Sequence, residues 1–548
     1  MSSQVDRTQP PAPPGGSVDA RTGQTARTQA VNTRAVDSQA VDTPAGQTGR
    51  PSGAAGAGPP AGGERPAGSA PAATTDPNPE EPPGSPPMGG LILAVCCAAQ
   101  FMVVLDVSIV NVALPTIRSS LGFDASSLQW VINAYTIAFA GFLLSGGRLA
   151  DLFGRRRTFL IGITVFTAAS LLGGSSTSAV MLVIARAVQG LGAAVVAPAT
   201  LTVLATTFTT TKARTRAFGI WGAVVGAGGA VGALAGGVLT EWLSWRWILF
   251  INVPIGVVLL LLAARAITEL PGLRRERTLD LWGGLSATLG VMALVYGIVG
   301  AQQHGWASTR TIGGLAVGVV ILGLFLVDQA RFATEPLLPL GIFRHRSVVT
   351  ANLIVFASGA ALFAMFYFLT LFLQQVLGYS PIRAGLAYLP LAAALMVSAR
   401  GTARLLARLG PGTLLRAGLV LTAGGLGWLA FLDEHSSFVG GILGPTILVG
   451  IGQGAVMASA TMAGTAGLPM NQAGLASGLI NATRQLGGAL GLAVLASLAT
   501  TRITHTAGSP AHAQASGYAL ALAIAAAIPA VAVIPAIFAP GRPRPDAS

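Results

Sequence analysis

The stretch Gly146–Gly162, GGRLADLFGRRRTFLIG, gathers Arg148, Asp151, Arg155, Arg156 and Arg157 into one short segment. Apolar runs near 126–147 and 158–175 adjoin it, each long enough to cross a hydrocarbon layer roughly 30 Å thick. A charged hairpin between two such runs is a loop joining two membrane spans. Gly147 and Gly154 permit a tight turn and close helix approach, and Arg148 and Asp151 can pair on one helical face. Arg155, Arg156 and Arg157 can meet carbonyls at helix C-termini or anionic headgroups. Read this way, the loop is a cytoplasmic gate latch. A plain basic loop would account for the arginines, but not for Asp151 or the glycines.

Outward from this hairpin the chain stays apolar. Its 548 residues are 52% hydrophobic and 10% charged, with a mean hydropathy of +0.66, whereas soluble domains carry about 25% charged residues. Fourteen runs can span, near 91–114, 126–147, 158–175, 179–204, 217–240, 245–265, 280–300, 311–330, 347–376, 381–399, 413–432, 438–463, 472–499 and 516–539. The expectation is an all-α polytopic membrane protein.

Basic residues orient it. Of 33 Lys+Arg, six lie in the N-terminal tail, and Arg186 and Arg484 lie inside runs. With the N-terminus cytoplasmic, only Arg118, Arg246, Arg310, Arg383 and Arg502 of the rest fall outside, the asymmetry of the positive-inside rule. An even span count returns the C-terminus to the cytoplasm. The net charge of +13 then reports topology and anionic-lipid contact, with no argument for nucleic acid. Residues 1–88 hold 16 of the 33 prolines and too little apolar surface to offset ordering entropy, so a disordered cytoplasmic tail is expected. Cys96 and Cys97 read as small apolar fillers, and the histidines show no metal-ligand spacing.

The runs repeat. Arg404–Gly410 echoes Arg148–Gly154, and Gln453-Gly454 echoes Gln189-Gly190, at offsets of 256 and 264 residues. Those offsets equal six spans plus two, which gives halves 1–6 and 9–14 with spans 7–8 inserted. Two such halves around a central cavity are a transporter arrangement.

Within the runs a few polar groups stand out. Asp106 is the one acidic residue well inside a span. A buried carboxylate is costly enough to be a functional candidate, the plainer reading being a structural carboxylate. About eight residues from the outer end of its run, it lies roughly 12 Å deep. Arg186 enters the fourth run by about seven residues, roughly 10 Å. A positive charge beside a buried carboxyl favours its ionised form, and withdrawing that charge favours protonation. The two could therefore gate a proton, although Arg186 could instead snorkel outward. Gly228, Gly232, Gly236 and Gly237 form a smooth stripe for helix packing. Asn481, Arg484 and Gln485 on the thirteenth run, with Asn111 and Gln189, are candidates to line the cavity, helix–helix bonding being the alternative. Arg484 is a second buried charge, needing an anion, a carbonyl or a substrate. Trp245 and Trp247 read as interfacial anchors.

These motifs carry a resemblance. Gly147-x-Leu149-Ala150-Asp151-x-x-Gly154-Arg155-Arg156 is similar to the helix 2–3 loop signature of the major facilitator superfamily. Leu105-Asp106-Val-Ser108-Ile-Val-Asn111-Val-Ala-Leu114-Pro115 resembles the first-span signature of its fourteen-span drug–proton antiporters, with Ser108 in place of threonine. Leu182-x-x-x-Arg186-Ala-Val-Gln189-Gly190-Leu-Gly192-Ala-Ala194 resembles the fourth-span signature, whose arginine is implicated in proton coupling. Gly228-x-x-x-Gly232-Ala233-x-x-Gly236-Gly237 resembles the signature of the exporting branches. Ala233 replaces its proline, which puts the bend that proline makes in doubt, and some of the inference to export with it. Trp245-Arg246-Trp247-x-x-Phe250-x-Asn252-x-Pro254 also resembles a run of the fourteen-span antiporters.

The resemblance implies a major facilitator fold, two six-helix halves plus two inserted helices. Its domains would be 89–270, an inserted 271–345, 346–540 and a cytoplasmic 541–548. It implies a monomer in the cytoplasmic membrane that needs no cofactor and uses protons to export a small, largely apolar drug or antibiotic by alternating access. The Ala/Gly/Arg bias with a single lysine fits a GC-rich actinomycete, in which such exporters confer self-resistance. Buried acids beyond Asp106 are lacking, which favours neutral or anionic aromatic compounds, such as polyketides, over multivalent cations. Lys212 lies in no phosphate-binding Gly-x-x-x-x-Gly-Lys loop, so this chain encodes no ATP-driven pump, and no catalytic motif points to an enzyme. A proton-coupled importer, a metabolite or siderophore exporter, and a non-transporting scaffold or sensor are the alternatives.

Overall fold

Hydrocarbon offers the backbone no hydrogen-bond partners, so an apolar run must satisfy its own amides, and a helix does so within one segment. The computed structural model describes residues 88–124, 127–268 and 280–537. The expectations for the tail and for 541–548 fall outside these residues, Met88 apart. Fourteen helices among them are long and apolar enough to cross a membrane. In chain order they are α1 (Gly89–Leu121), α2 (Trp130–Phe153), α3 (Arg155–Gly174), α4 (Ala179–Thr207), α5 (Thr211–Trp242), α6 (Trp247–Ala266) and α7 (Leu281–His304). There follow α8 (Thr309–Arg331), α9 (Arg346–Val376), α10 (Pro381–Ala387 and Leu389–Leu409), α11 (Pro411–Leu429), α12 (Phe438–Thr465), α13 (Met470–His505) and α14 (Pro510–Ile537).

Local chemistry sets the ends. Ser178, Thr210, Asp280, Ser308, Ser380 and Ser437 each accept a backbone amide bond at a helix start, a cap worth about 1 kcal/mol. Gly154 (φ 86°, ψ 151°) turns the chain from α2 into α3, and Gly410 (φ 76°, ψ 158°) turns it from α10 into α11. The two hairpins that echo in sequence thus share one backbone geometry, which L-residues with a Cβ rarely adopt. One boundary differs from expectation. The helix holding Asp106 does not stop at Leu114 but continues through Pro115 to Leu121, so Asp106 lies about 22 Å below that helix end rather than 12 Å. Proline removes one backbone donor, a loss that neighbouring helices can absorb.

Helices α1–α6 pack among themselves, as do α9–α14, and α7 and α8 form a hairpin that docks through α7 on α2 and α13. Ile137, Val295 and Ala489 meet in that seam. At the end where α1 finishes (the far end), one apolar core runs through both halves, joining Ile109 and Ile117 to Phe368, Tyr388 and Leu492. At the end where α1 starts (the near end), the cores divide. One is built on α1–α6 with Ala482 of α13, the other on α9 and α11–α14. Trp245, expected at an interface, is 2% exposed within the far-end core. Arg246 lies over its ring at 4.6 Å and bonds the Ser176 carbonyl at 2.9 Å, which holds the indole beneath it. Trp247 is exposed.

Candidate functional site

Five helices of the first half converge on Asp106. Its carboxylate is fully buried and pairs with Arg186, 2% exposed, at 2.6 Å between Oδ2 and Nη1. The same Nη1 donates to Gln189 Oε1 at 2.6 Å, and Arg186 Nε donates to the Val131 carbonyl at 3.1 Å. Asp106 Oδ1 accepts from Gln189 Nε2 at 2.7 Å and from Asn252 Nδ2 at 3.1 Å. Ser170 Oγ accepts from the same two amides at 2.6 and 3.4 Å. The Tyr135 ring lies under the guanidinium, 4.4 Å from Cζ to centroid. Buried charges need a partner and further hydrogen bonds to offset lost hydration, and this cluster supplies both.

The helix spacing explains the assembly. Ser178 starts α4, which places Arg186 two turns in, and Gln189 follows three residues later on the same face. Gly190 and Gly192 then bring α4 against the Tyr135 carbonyl and against Phe166, with no room for a side chain. Gln189, read as cavity-lining, is instead 1% exposed, and both ends of its amide are engaged in this network. Asn111 is buried and donates to the Val107 carbonyl of its own helix at 2.8 Å. Ser170, Asn252 and Tyr135 are the members that sequence reasoning did not assign. An asparagine inside an apolar span was a usable signal for Asn252. A serine on a Gly/Ala/Ser-rich helix and a tyrosine amid aromatics gave none.

The glycine stripe lies directly behind this cluster. Gly232 and Gly236 face Ser108 and Ile109 of α1 closely enough to exclude a Cβ, Gly228 faces Val104 with little room for one, and Ser108 Oγ donates to the Gly228 carbonyl at 3.3 Å. Helix α5 runs unbroken through Ala233. Gly237 meets the backbone of Pro381 and Ile382 on α10, and Glu241 accepts from the Ile382 amide at 2.9 Å. With Gln374 Nε2 donating to the Val112 carbonyl at 2.8 Å, these contacts seal the far end.

At the hairpin, Arg148 donates to the carbonyls of Glu335 and Pro336, in the segment after α8. That segment is also held by Asp280 and Gln329. Gln329 Nε2 donates to Asp280 Oδ2 at 2.5 Å, and Gln329 Oε1 accepts from the Leu338 amide at 2.9 Å. Arg156 reaches the Ala264 carbonyl near the C-terminus of α6 at 2.6 Å. Arg155 is half-buried. Close helix approach belongs to Gly146, where a Cβ would collide with the Ala194 carbonyl, rather than to Gly147, where a Cβ would sit 3.8 Å from Pro198 in ordinary contact. The side chain of Asp151 lies outside the described residues.

On α13, Arg484 donates to Asn481 Oδ1 at 3.1 Å, and Gln485 is buried beside it. Groups of three or more His, Cys, Asp or Glu able to hold a metal ion are absent among the described residues.

Residues 96–492 match the family described as the Major Facilitator Superfamily. The chain is 46% identical to the cephamycin export protein CmcT of Amycolatopsis lactamdurans over 424 residues, 76% of this chain and 86% of that one. It is 43% identical to the puromycin resistance protein pur8 of Streptomyces alboniger, covering 74% and 81%, and 36% identical to the multidrug resistance protein Stp of Mycobacterium tuberculosis, covering 74% and 75%. Among solved structures, the nucleoside transporter NupG superposes with a TM-score of 0.59 at 13% identity, covering 82% of this chain and 99% of that one. A bacterial homologue of the human lysosomal transporter Spinster does so at 0.58 and 14%, covering 83% and 97%.

Proposed function

Because this chain belongs to the Major Facilitator Superfamily, in its fourteen-span drug-exporting branch, we propose that it expels a small, largely apolar drug or antibiotic in exchange for protons. The observation that carries the coupling is the buried pair Asp106–Arg186. With the far end sealed, Arg186 pairs with the carboxylate and offsets its charge. Opening the far end moves α1 against its neighbours and separates the pair. A buried carboxylate without its counter-charge then takes up a proton from that side. Reclosure returns Arg186 and expels the proton at the near end, so one proton enters for each cargo leaving. The near end is the cytoplasmic one on this reading, because the basic hairpins lie there.

The halves 89–270 and 346–540 are the bodies that move, and 271–345 is the inserted pair with its linker. Gly147, Arg148, Asp151, Gly154, Arg155 and Arg156 form the cytoplasmic gate. Arg148 works there through the linker carbonyls of Glu335 and Pro336, so the inserted hairpin is tied to the gate. Antibiotic export and resistance in the named relatives support a cargo of that class.

Whole-cell accumulation of a fluorescent aromatic drug tests the reading. Expression of the chain should lower accumulation several-fold, and a proton uncoupler should restore it. Accumulation that rises on expression and falls with uncoupler would mean import, and no change across a compound panel would mean a protein that does not transport.

A further inference from the structure

Among the described residues Arg484 has no anionic partner. Its one hydrogen-bond partner among them is Asn481, at 3.1 Å, and its buried Nε has none. Gln485 is 5% exposed, and its Oε1 is likewise buried without a partner. The residue stands fourteen positions into α13, about 21 Å along the axis and so near mid-membrane, where a lone charge is costly. Helix α9 packs close beside it, Gly359 against the Arg484 carbonyl and Phe363 against Gly488. Gly487 and Gly491 meet Phe356 and Ala360 of α9, and Ala482 and Ala489 enter the cores shared with α2 and α7. At 100° per residue, Arg484 lies on the α9 side of the helix, about 20° from Gly491, and Asn481 and Gln485 lie between that side and the one facing α2 and α7. Arg484 and Asn481 are partly buried there but not sealed, although α9, α2 and α7 all pack on this helix.

We propose that Arg484, oriented by Asn481 and flanked by Gln485, binds a single oxyanion of the exported compound, a carboxylate above all. The proposal rests on the export reading and narrows its cargo to apolar bodies that carry one negative group. A guanidinium donates charge-assisted hydrogen bonds to a carboxylate, and among the described residues only its Nη2 is engaged, which leaves Nη1 to donate. Asn481 is a positioning residue, fixing the guanidinium through Nη2. A lipid phosphate is the other source of an oxyanion, but the depth of Arg484 keeps a headgroup from reaching it.

The test is equilibrium binding to the purified full chain in nanodiscs with no gradient, so that it does not depend on proton coupling. The probes are matched pairs of fluorescent aromatics, each a carboxylate (coumarin-3-carboxylate among them) and its ethyl ester. The wild type should prefer the acid at least tenfold in one or more pairs. In Arg484→Gln that ratio should fall to about one, and Arg484→Lys should keep part of it, since charge survives without the planar fork. Asn481→Asp keeps the arginine and supplies an internal carboxylate, so it too should erase the preference while the fold is undisturbed. No acid preference in the wild type across the panel would overturn the proposal. So would a preference that survives Arg484→Gln and Asn481→Asp, or one abolished when phosphatidylglycerol replaces phosphatidylcholine. Acid preference without uncoupler-sensitive export would leave this site standing and sink the export reading instead.

Discussion

The two halves build the same helix junction with opposite chemistry. In the first, α4 sends Arg186 and Gln189 to Asp106 on α1. In the second, the echoing Gln453 of α12 meets Ser358 of α9, with Ser358 Oγ donating to Gln453 Oε1 at 2.7 Å. Ser358 thus stands where the first half has its carboxylate. The residue three before Gln453, the counterpart of Arg186, is Gly450, and α10 closes on it at the Leu391 carbonyl. In the first half the guanidinium fills that space and bonds the Val131 carbonyl of α2. One junction is a buried charged pair, and its twin is neutral and closely packed. The charge left over in the second half, Arg484, sits on a different helix and has no carboxylate partner among the described residues. On the proposed reading, proton chemistry and cargo recognition belong to different halves.

The largest break in this comparison should come from Arg186→Ala. It strands Asp106 in a fully buried site, and losing one member of a buried pair costs about 3–5 kcal/mol. The thermal midpoint in detergent should drop sharply, and adding Asp106→Asn should recover much of it by making the first junction neutral like the second. A double variant no more stable than the single one would show that the carboxylate is not the cause.

Next in size is Ser358→Asp, which gives the second junction a carboxylate with no arginine to meet it. A buried polar group left unsatisfied costs about 1–3 kcal/mol, and more when it is charged, read as a lowered midpoint. An unchanged midpoint would mean that water reaches this junction, and the contrast between halves would weaken. The smallest expected effect is that of Gly450→Ala, whose Cβ would come to 2.5 Å from the Leu391 carbonyl. Overpacking of that kind costs about 1–3 kcal/mol, and a neutral outcome would mean that α10 is free to back away.

The architecture was legible because membrane spans are written in runs of apolar residues, and the fourteen runs became the fourteen helices. The turn at Gly154 was legible too, since the reversal between α2 and α3 demands a positive φ. Asp106 and Arg186 were legible as charges where charge is costly. Their partners were less so. Ser170 and Tyr135 belong to the cluster only because α2 and α3 fold against α4, a tertiary fact with no local signature. The partners of Arg148 are backbone carbonyls, which every residue owns. Gly146 and Gly147 could not be ranked without knowing which one faces Ala194. The far end of α1 was misjudged because proline is a weaker stop in a packed membrane helix than in water.

The central claim is that the Asp106–Arg186 pair couples proton entry to cargo exit. It is tested most directly by purified Asp106→Asn in proteoliposomes loaded with a fluorescent substrate of the wild type. The account predicts that a pH gradient no longer drives transport, with the initial rate falling by about two orders of magnitude or more. Exchange of labelled for unlabelled substrate with no gradient should continue at a rate near that of the wild type. Gradient-driven transport persisting in Asp106→Asn at the wild-type rate would contradict the claim and move the coupling site off this pair.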